Sequence, residues 1–147
     1  MLYVVTGPPG AGKSSWIRAH AKRRDVVIDL DLIALALAGP GHDDRDYSDV
    51  LLKVAHRARQ AAIHEAEKHL DQADVYLIHT MPQAKARAHY RRLGARIVVV
   101  DPGRRIVEQR VRDMRQPGMD AVVTRWYSQQ ARQRGAHTTA AQASRDW

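Results

Sequence analysis

The run Gly7-Pro8-Pro9-Gly10-Ala11-Gly12-Lys13-Ser14 constrains this chain more than any other segment. It fits the pattern G-x-x-x-x-G-K-[ST] at every fixed position. An apolar stretch, Leu2 to Val5, leads into it, and a helical pattern from about Lys13 to Ala21 leads out. Its glycines let the backbone turn tightly, so that successive N–H groups converge on one phosphate group. The start of the helix adds unpaired amides and the positive end of its dipole. Lys13 is expected to reach the β- and γ-phosphates, and Ser14 to place its hydroxyl on Mg²⁺. Gly7, Pro8, Pro9, Gly10, Ala11, Gly12, Lys13, Ser14 and Ser15 form the candidate nucleotide-binding set, with ATP or another nucleoside triphosphate and Mg²⁺ as cofactors. The alternative is a chance Gly-rich turn, which the flanking strand and helix disfavour.

Elsewhere, short apolar runs alternate with longer helical patterns. Strands are predicted at Leu2 to Val5, Val26 to Ile28, Val75 to Ile78 and Ile97 to Val100. Runs this apolar suit strands covered on both faces of a parallel sheet. Helices are predicted at about 13–21, 32–37, 48–70 and 83–93. In the third of these, Leu51, Ala55, Ala58, Ala62, Ala66 and Leu70 form a stripe at spacings of three and four. Asp101-Pro102 reads as a cap with Pro in the first turn of a helix running to about Met114. After the break at Gln116-Pro117-Gly118, residues Met119, Val122, Val123, Trp126 and Tyr127 form a second stripe, which places Trp126 and Tyr127 in the core. The expected fold class is α/β, a P-loop phosphotransferase fold with a parallel sheet of about four strands, flanking helices and a helical lid. One domain over 1–147 is expected, with 136–147 a loose tail or short helix.

The chain has 147 residues and no Cys, which excludes disulfides, thiolate nucleophiles and thiolate zinc sites. Its longest apolar run, Leu30 to Ala38, is interrupted by Asp31 and is too short to span a bilayer. No membrane partner and a cytoplasmic location are therefore expected; a homo-oligomer is left open. The formal charge is +8, and 19 of the 24 cations are Arg. Guanidinium binds phosphate through a bidentate fork, so this excess suits a polyanionic partner. A solvated surface from an Arg- and Ala-rich genome explains it equally well.

Open α/β sheets bind ligands beyond the carboxyl ends of their strands. The second strand ends in Ile28-Asp29-Leu30-Asp31, the third in Ile78-His79-Thr80, and the fourth in Val100-Asp101-Pro102-Gly103. A kinase needs a carboxylate to orient the attacking hydroxyl and accept its proton. Asp31 fits that role, and it also fits as the cap of a helix starting at Leu32. Asp29 reads as a cap, a group supporting the metal ligands, or a water-mediated metal contact. Arg110, Arg112 and Arg115 precede Pro117-Gly118, where a lid could close over the triphosphate and neutralise charge in the transition state. A solvated helix face is the plainer reading. Arg104 and Arg105 follow the fourth strand, where they would stack on the nucleoside base or simply sit on the surface. His64 and His69 are five residues apart and poorly placed as a metal pair; His79 is a candidate to line the site.

Gly12-Lys13-Ser14-Ser15-Trp16, followed by Ile28-Asp29-Leu30-Asp31, resembles the kinase module of bacteriophage 5′-OH polynucleotide kinases, in particular the small single-domain mycobacteriophage type. The resemblance implies that Asp31 is the general base and that Lys13 and Ser14 serve phosphate and Mg²⁺. It places Thr80 near the acceptor and Arg115 at the lid arginine. It implies a 5′-OH nucleic-acid end as substrate, and the host cytoplasm as location for a phage-encoded chain. Two departures stand out. Ser15 replaces a Thr, and Ala34 stands where the family prototype has an Arg that contacts the acceptor phosphate; Arg45 is a candidate substitute.

The reading these features favour is an ATP-dependent polynucleotide 5′-hydroxyl kinase, with Lys13, Asp31 and Arg115 catalytic, Asp29, Thr80 and Arg45 toward the acceptor, and Arg110 and Arg112 toward the nucleotide. The alternatives are a small-molecule kinase for a sugar, nucleoside or antibiotic, and a nucleotide-dependent nucleic-acid-binding ATPase. The absence of an N-K-x-D guanine reader disfavours a GTPase switch.

Overall fold

A computed structural model describes residues 1–41, 47–114 and 117–143, with only the backbone for 136–143. The elements run β1 (Leu2–Thr6), α1 (Lys13–His20), β2 (Val26–Ile28), α2 (Leu30–Leu37), α3 (Asp49–Glu67), β3 (Val75–Ile78), α4 (Ala84–Arg92), β4 (Arg96–Val99), α5 (Arg104–Met114) and α6 (Met119–Ala143). The four strands form one sheet in the order β2-β3-β1-β4, and every pairing is parallel. The protein is thus an α/β fold, with a four-stranded parallel sheet and, among the described residues, six helices. By contacts the chain divides into two compact units: Met1–Thr6 with Lys13–Val99, and Gly7–Gly12 with Val100–Trp147.

The first unit holds the sheet. Its inner strands are apolar at nearly every position because both faces are covered. The register pairs Leu2 with Val75 and Val4 with Leu77, so these four point to one face, where they meet Ile28 and Tyr90. The predicted stripe of α3 closes over that face through Ala62 and Ala66, with Leu70 just beyond the helix. On the opposite face Tyr3 and Tyr76 stack at 4.7 Å, Trp16 of α1 leans on Tyr76, and Ile17 is buried. Ser48 caps α3 by accepting from the Leu51 amide at 3.2 Å.

In the second unit, Ala11 of the glycine-rich loop packs in one cluster with Val107, Val111 and Val123, joined by Val100, Met119 and Tyr127. The stripe predicted on α6 is the buried one: Val123 and Trp126 are nearly inaccessible.

Several boundaries differ from the sequence reading; β1 runs on to Thr6 and α3 stops at Glu67. Helix α2 starts at Leu30, not Leu32, because Asp29 rather than Asp31 caps it. Helix α5 starts at Arg104, not at Asp101-Pro102. Gly103 has φ +111° and blocks helical continuation, while Asp101 Oδ1 accepts from the Gly103 amide at 3.0 Å. Strand β4 covers Arg96–Val99 and leaves Val100 outside. The segment read as a loose tail continues α6 to Ala143.

Candidate active site

Each unit contributes part of the glycine-rich loop, which the chain carries from one to the other at the Gly12–Lys13 peptide bond. In the second unit, Gly7 is buried with φ +150°, and a Cβ there would lie 2.2 Å from the Val100 carbonyl oxygen. No side chain fits that approach. Gly10 and Gly12 also have positive φ. Arg110 of α5 holds this turn from outside, its Nη1 donating to the Gly10 carbonyl at 3.0 Å. That carbonyl accepts the bond, and within the turn the Ala11 amide donates to the Pro8 carbonyl at 3.2 Å; in this motif loop amides serve a bound anion.

The first unit brings together Lys13, Ser14, Asp29 and Asp31. Lys13 and Ser14 open α1, and Asp29 follows β2 directly. Asp29 is buried at 5% exposure. Its Oδ2 accepts from the Ser14 hydroxyl at 3.0 Å, and its Oδ1 accepts from the Asp31 amide at 3.0 Å. One carboxylate therefore ties the start of α1 to the start of α2. Asp31 is the second residue of α2, in its first turn, and is exposed, at a helix end that suits a negative side chain. Burial lowers the Lys13 ammonium from 10.5 to about 8, opposed by the charges of Asp29 and then Asp31. A desolvated ammonium beside two carboxylates is prepared for a phosphate chain, whose charge would restore its proton affinity.

The other predicted residues fall as follows. Thr80 is half-buried just past β3 in the first unit, where the His79 amide donates to the Val5 carbonyl at 3.1 Å. Ser15 faces solvent, its hydroxyl accepting from Arg18 at 3.1 Å. Of the α5 arginines, Arg110 reaches the loop, whereas Arg112 donates to Gln109 at 2.8 Å on the exposed side. Arg45 and Arg115 lie outside the described residues. Arg104 does not offer its face to a base: its guanidinium lies 5.3 Å from the Tyr127 ring, its Nε donates to Glu108, and Tyr127 donates to Asp101 at 2.8 Å. A groove of about 690 Å³ in the second unit runs past Arg105, Gln109 and Arg112.

Sequence reasoning missed Arg59. It is buried at 8% exposure, and its Nη2 donates to the Ile78 carbonyl at 3.0 Å, at the end of β3. Its position was marked in the sequence: four residues after Ala55 and three before Ala62, it occupies the apolar stripe of α3.

A glycine-rich turn, a half-buried lysine at the helix start and a hydroxyl–carboxylate pair at the next strand end define a P-loop nucleotide-binding domain. The chain belongs to the AAA domain family, whose model matches residues 2–136. This is a P-loop, kinase-like family that includes polynucleotide kinases, and membership implies nucleotide binding. A search of curated proteins returned no match. Among the described residues, no helix is long and apolar enough to cross a membrane.

Proposed function

We propose that the protein is an ATP- and Mg²⁺-dependent kinase that phosphorylates the 5′-hydroxyl end of DNA or RNA. The observation that carries the reading is the bonded line from the Ser14 hydroxyl through Asp29 to the Asp31 amide, beside the half-buried, partly desolvated Lys13. A hydroxyl and a buried carboxylate are hard oxygen donors suited to Mg²⁺, which takes one or two protein ligands and otherwise phosphate and water. When bound, the ion would neutralise charge on the β- and γ-phosphate oxygens.

The remaining work belongs to the chain itself. Loop amides hold the triphosphate, and the Lys13 ammonium offsets charge on the transferred group. Asp31 accepts the proton of the acceptor hydroxyl as that oxygen attacks the γ-phosphorus. The bond from phosphorus to the departing ADP oxygen breaks in the same step, and ADP carries the electron pair away. Arg110, anchored on the loop, is the described arginine best placed to support the nucleotide phosphates.

Membership of a family that includes polynucleotide kinases supports this acceptor class. So does the Arg excess, which would make binding of an acceptor strand weaken as salt rises. Incubation with γ-labelled ATP and a 5′-OH oligonucleotide tests the proposal. Label is expected on the oligonucleotide and lost with Lys13→Ala. Label on no oligonucleotide, but on a sugar or nucleoside, would reject it.

A further inference from the structure

The sheet order β2-β3-β1-β4 leaves two edge strands, β2 and β4, and they are built differently. β2 has three residues and follows the charged run Lys22-Arg23-Arg24-Asp25. The Val26 amide donates to the Asp74 carbonyl at 2.9 Å, so Val26 and Ile28 bond inward to β3 and only Val27 turns its peptide groups outward. A short edge beside charges resists an added strand. β4, Arg96–Val99, is apolar after its first residue. Among the described residues no strand pairs with its outer side, and Ile97 is 39% and Val99 54% exposed.

The ladder fixes which groups of β4 face outward. The His79 amide donates to the Val5 carbonyl at 3.1 Å, so Val5 bonds toward β3. Successive residues of a strand turn their peptide groups to alternate sides, so Val4 and Thr6 bond toward β4. These two are in register with Ile97 and Val99, and in a parallel ladder the residue between them, Val98, bonds back. The Thr6 hydroxyl also donates to the Val98 carbonyl at 3.5 Å, which places that carbonyl on the β1 side. Ile97 and Val99 therefore each turn an N–H and a C=O outward.

We infer that β4 is the docking edge for a second copy of this chain, paired antiparallel about a two-fold axis that passes through Val98 normal to the sheet. In that register Ile97 stands opposite the partner's Val99 on the same face, and the outward groups of both residues in both copies close four hydrogen bonds. Each exposed side chain covers the other. Other registers fail. A one-residue slip sets opposed side chains on opposite faces. A two-residue slip toward the strand start sets Val99 opposite the partner's Ala95, whose amide already donates to the Tyr90 carbonyl at 3.0 Å. The opposite slip carries Ile97 past the end of the partner's β4. Charge agrees with the antiparallel order. Arg96 opens the strand and, in the sequence, Asp101 follows its end, so each Arg96 lies toward the acidic end of the partner strand and away from the partner's Arg96. This match of the strand to itself selects a second copy as the occupant, independently of the reaction proposed above. Four side chains and four hydrogen bonds bury far less than the ~800 Å² per partner of a standard interface, so a dissociation constant on the order of 10–100 μM is expected.

Sedimentation equilibrium and amide hydrogen exchange on the full chain, from well below to well above that constant, test the proposal. The mass is expected to rise from 16.6 kDa toward twice that value. The Ile97 and Val99 amides are expected to exchange several-fold more slowly in concentrated than in dilute protein, with the Val98 amide protected throughout. A second arm tests the register. Ile97→Lys with Val99→Lys, and Ile97→Glu with Val99→Glu, each set like charges opposite one another and should be monomeric alone. Mixed, they should form a heterodimer, because every lysine then meets a glutamate. Both positions are exposed, so the variants should keep the fold, which circular dichroism checks, and the wild-type arm stands without them. A wild-type monomer at every concentration overturns the proposal. So does a dimer that both folded double variants retain, or a failure of the folded variants to associate on mixing. Slow exchange of Ile97 and Val99 at the monomer mass also overturns it, since the edge would then be covered within one chain.

Discussion

The three loop glycines that adopt positive φ should not be equally sensitive to alanine, and the structure sets the order. At Gly7 the added Cβ lies 2.2 Å from Val100 O and 3.2 Å from its carbonyl carbon. Contact between carbon and oxygen settles near 3.3 Å, so relief needs a backbone shift of about 1 Å on one side or the other. Both atoms are main chain, and neither can rotate away. The φ of +150° adds conformational strain of about 1–3 kcal/mol. At Gly10, with φ +73°, the nearest atom is Met114 Cε at 3.2 Å, the end of a flexible side chain, so about 1–2 kcal/mol of left-handed strain dominates. At Gly12, with φ +97°, only Arg110 Nη1 comes within 4 Å, at 3.8 Å. The expected order of destabilisation is Gly7→Ala well above Gly10→Ala, with Gly12→Ala comparable to or below Gly10→Ala. Gly7→Ala should cost about 3 kcal/mol or more and abolish nucleotide binding. Urea unfolding gives the stabilities, and titration with a fluorescent ATP analogue gives the affinities. A Gly7→Ala protein as stable as Gly12→Ala, and binding nucleotide normally, would refute the steric reasoning.

Other expectations follow from the first unit. Asp29→Ala removes the cap of α2 and the acceptor of the Ser14 hydroxyl, and should cost about 2–4 kcal/mol in urea unfolding. Asp29→Asn keeps a good capping side chain, so it should stay within about 1 kcal/mol of wild type while Mg²⁺-dependent ATP binding weakens. Lys13, at about 8 in the free protein, sits below its unfolded value, so the folded state holds fewer protons between about 8 and 10.5. Its contribution therefore makes stability rise with pH across that window. Bound phosphates reverse the shift, so at pH 8.5 nucleotide binding should take up about 0.7 proton, and almost none at pH 6.5. Calorimetry in two buffers of different ionisation enthalpy reads this directly; identical heats at pH 8.5 would contradict it.

The parts of the site legible in the sequence are those set by local backbone chemistry. Gly7, Gly10, Gly12, Lys13 and Ser14 announce a phosphate loop because their spacing determines which amides converge. The four strands were readable because a buried parallel strand is apolar throughout. The roles of Asp29 and Asp31 were harder to separate: either can cap a helix, and apolar Leu30 between them does not say where the helix begins. Asp101-Pro102 carries a genuine capping signal, but Gly103 with positive φ postpones the helix to Arg104. Arg59 was hidden for a different reason. Its place in the stripe of α3 was visible, whereas its bond to Ile78, 19 residues away, depends on how α3 lies across the end of β3. Arg104 likewise spends its guanidinium on Tyr127 and Glu108, partners 23 and 4 residues along the chain.

In the proposed mechanism Asp31 receives the acceptor's proton. The direct measurement compares single-turnover transfer from ATP to a 5′-OH oligonucleotide by wild type and Asp31→Asn, alongside ATP affinity. Loss of general-base function should slow transfer by about 10²–10⁴-fold, with ATP affinity within about three-fold of wild type and the fold intact. Transfer by Asp31→Asn at the wild-type rate would contradict the account.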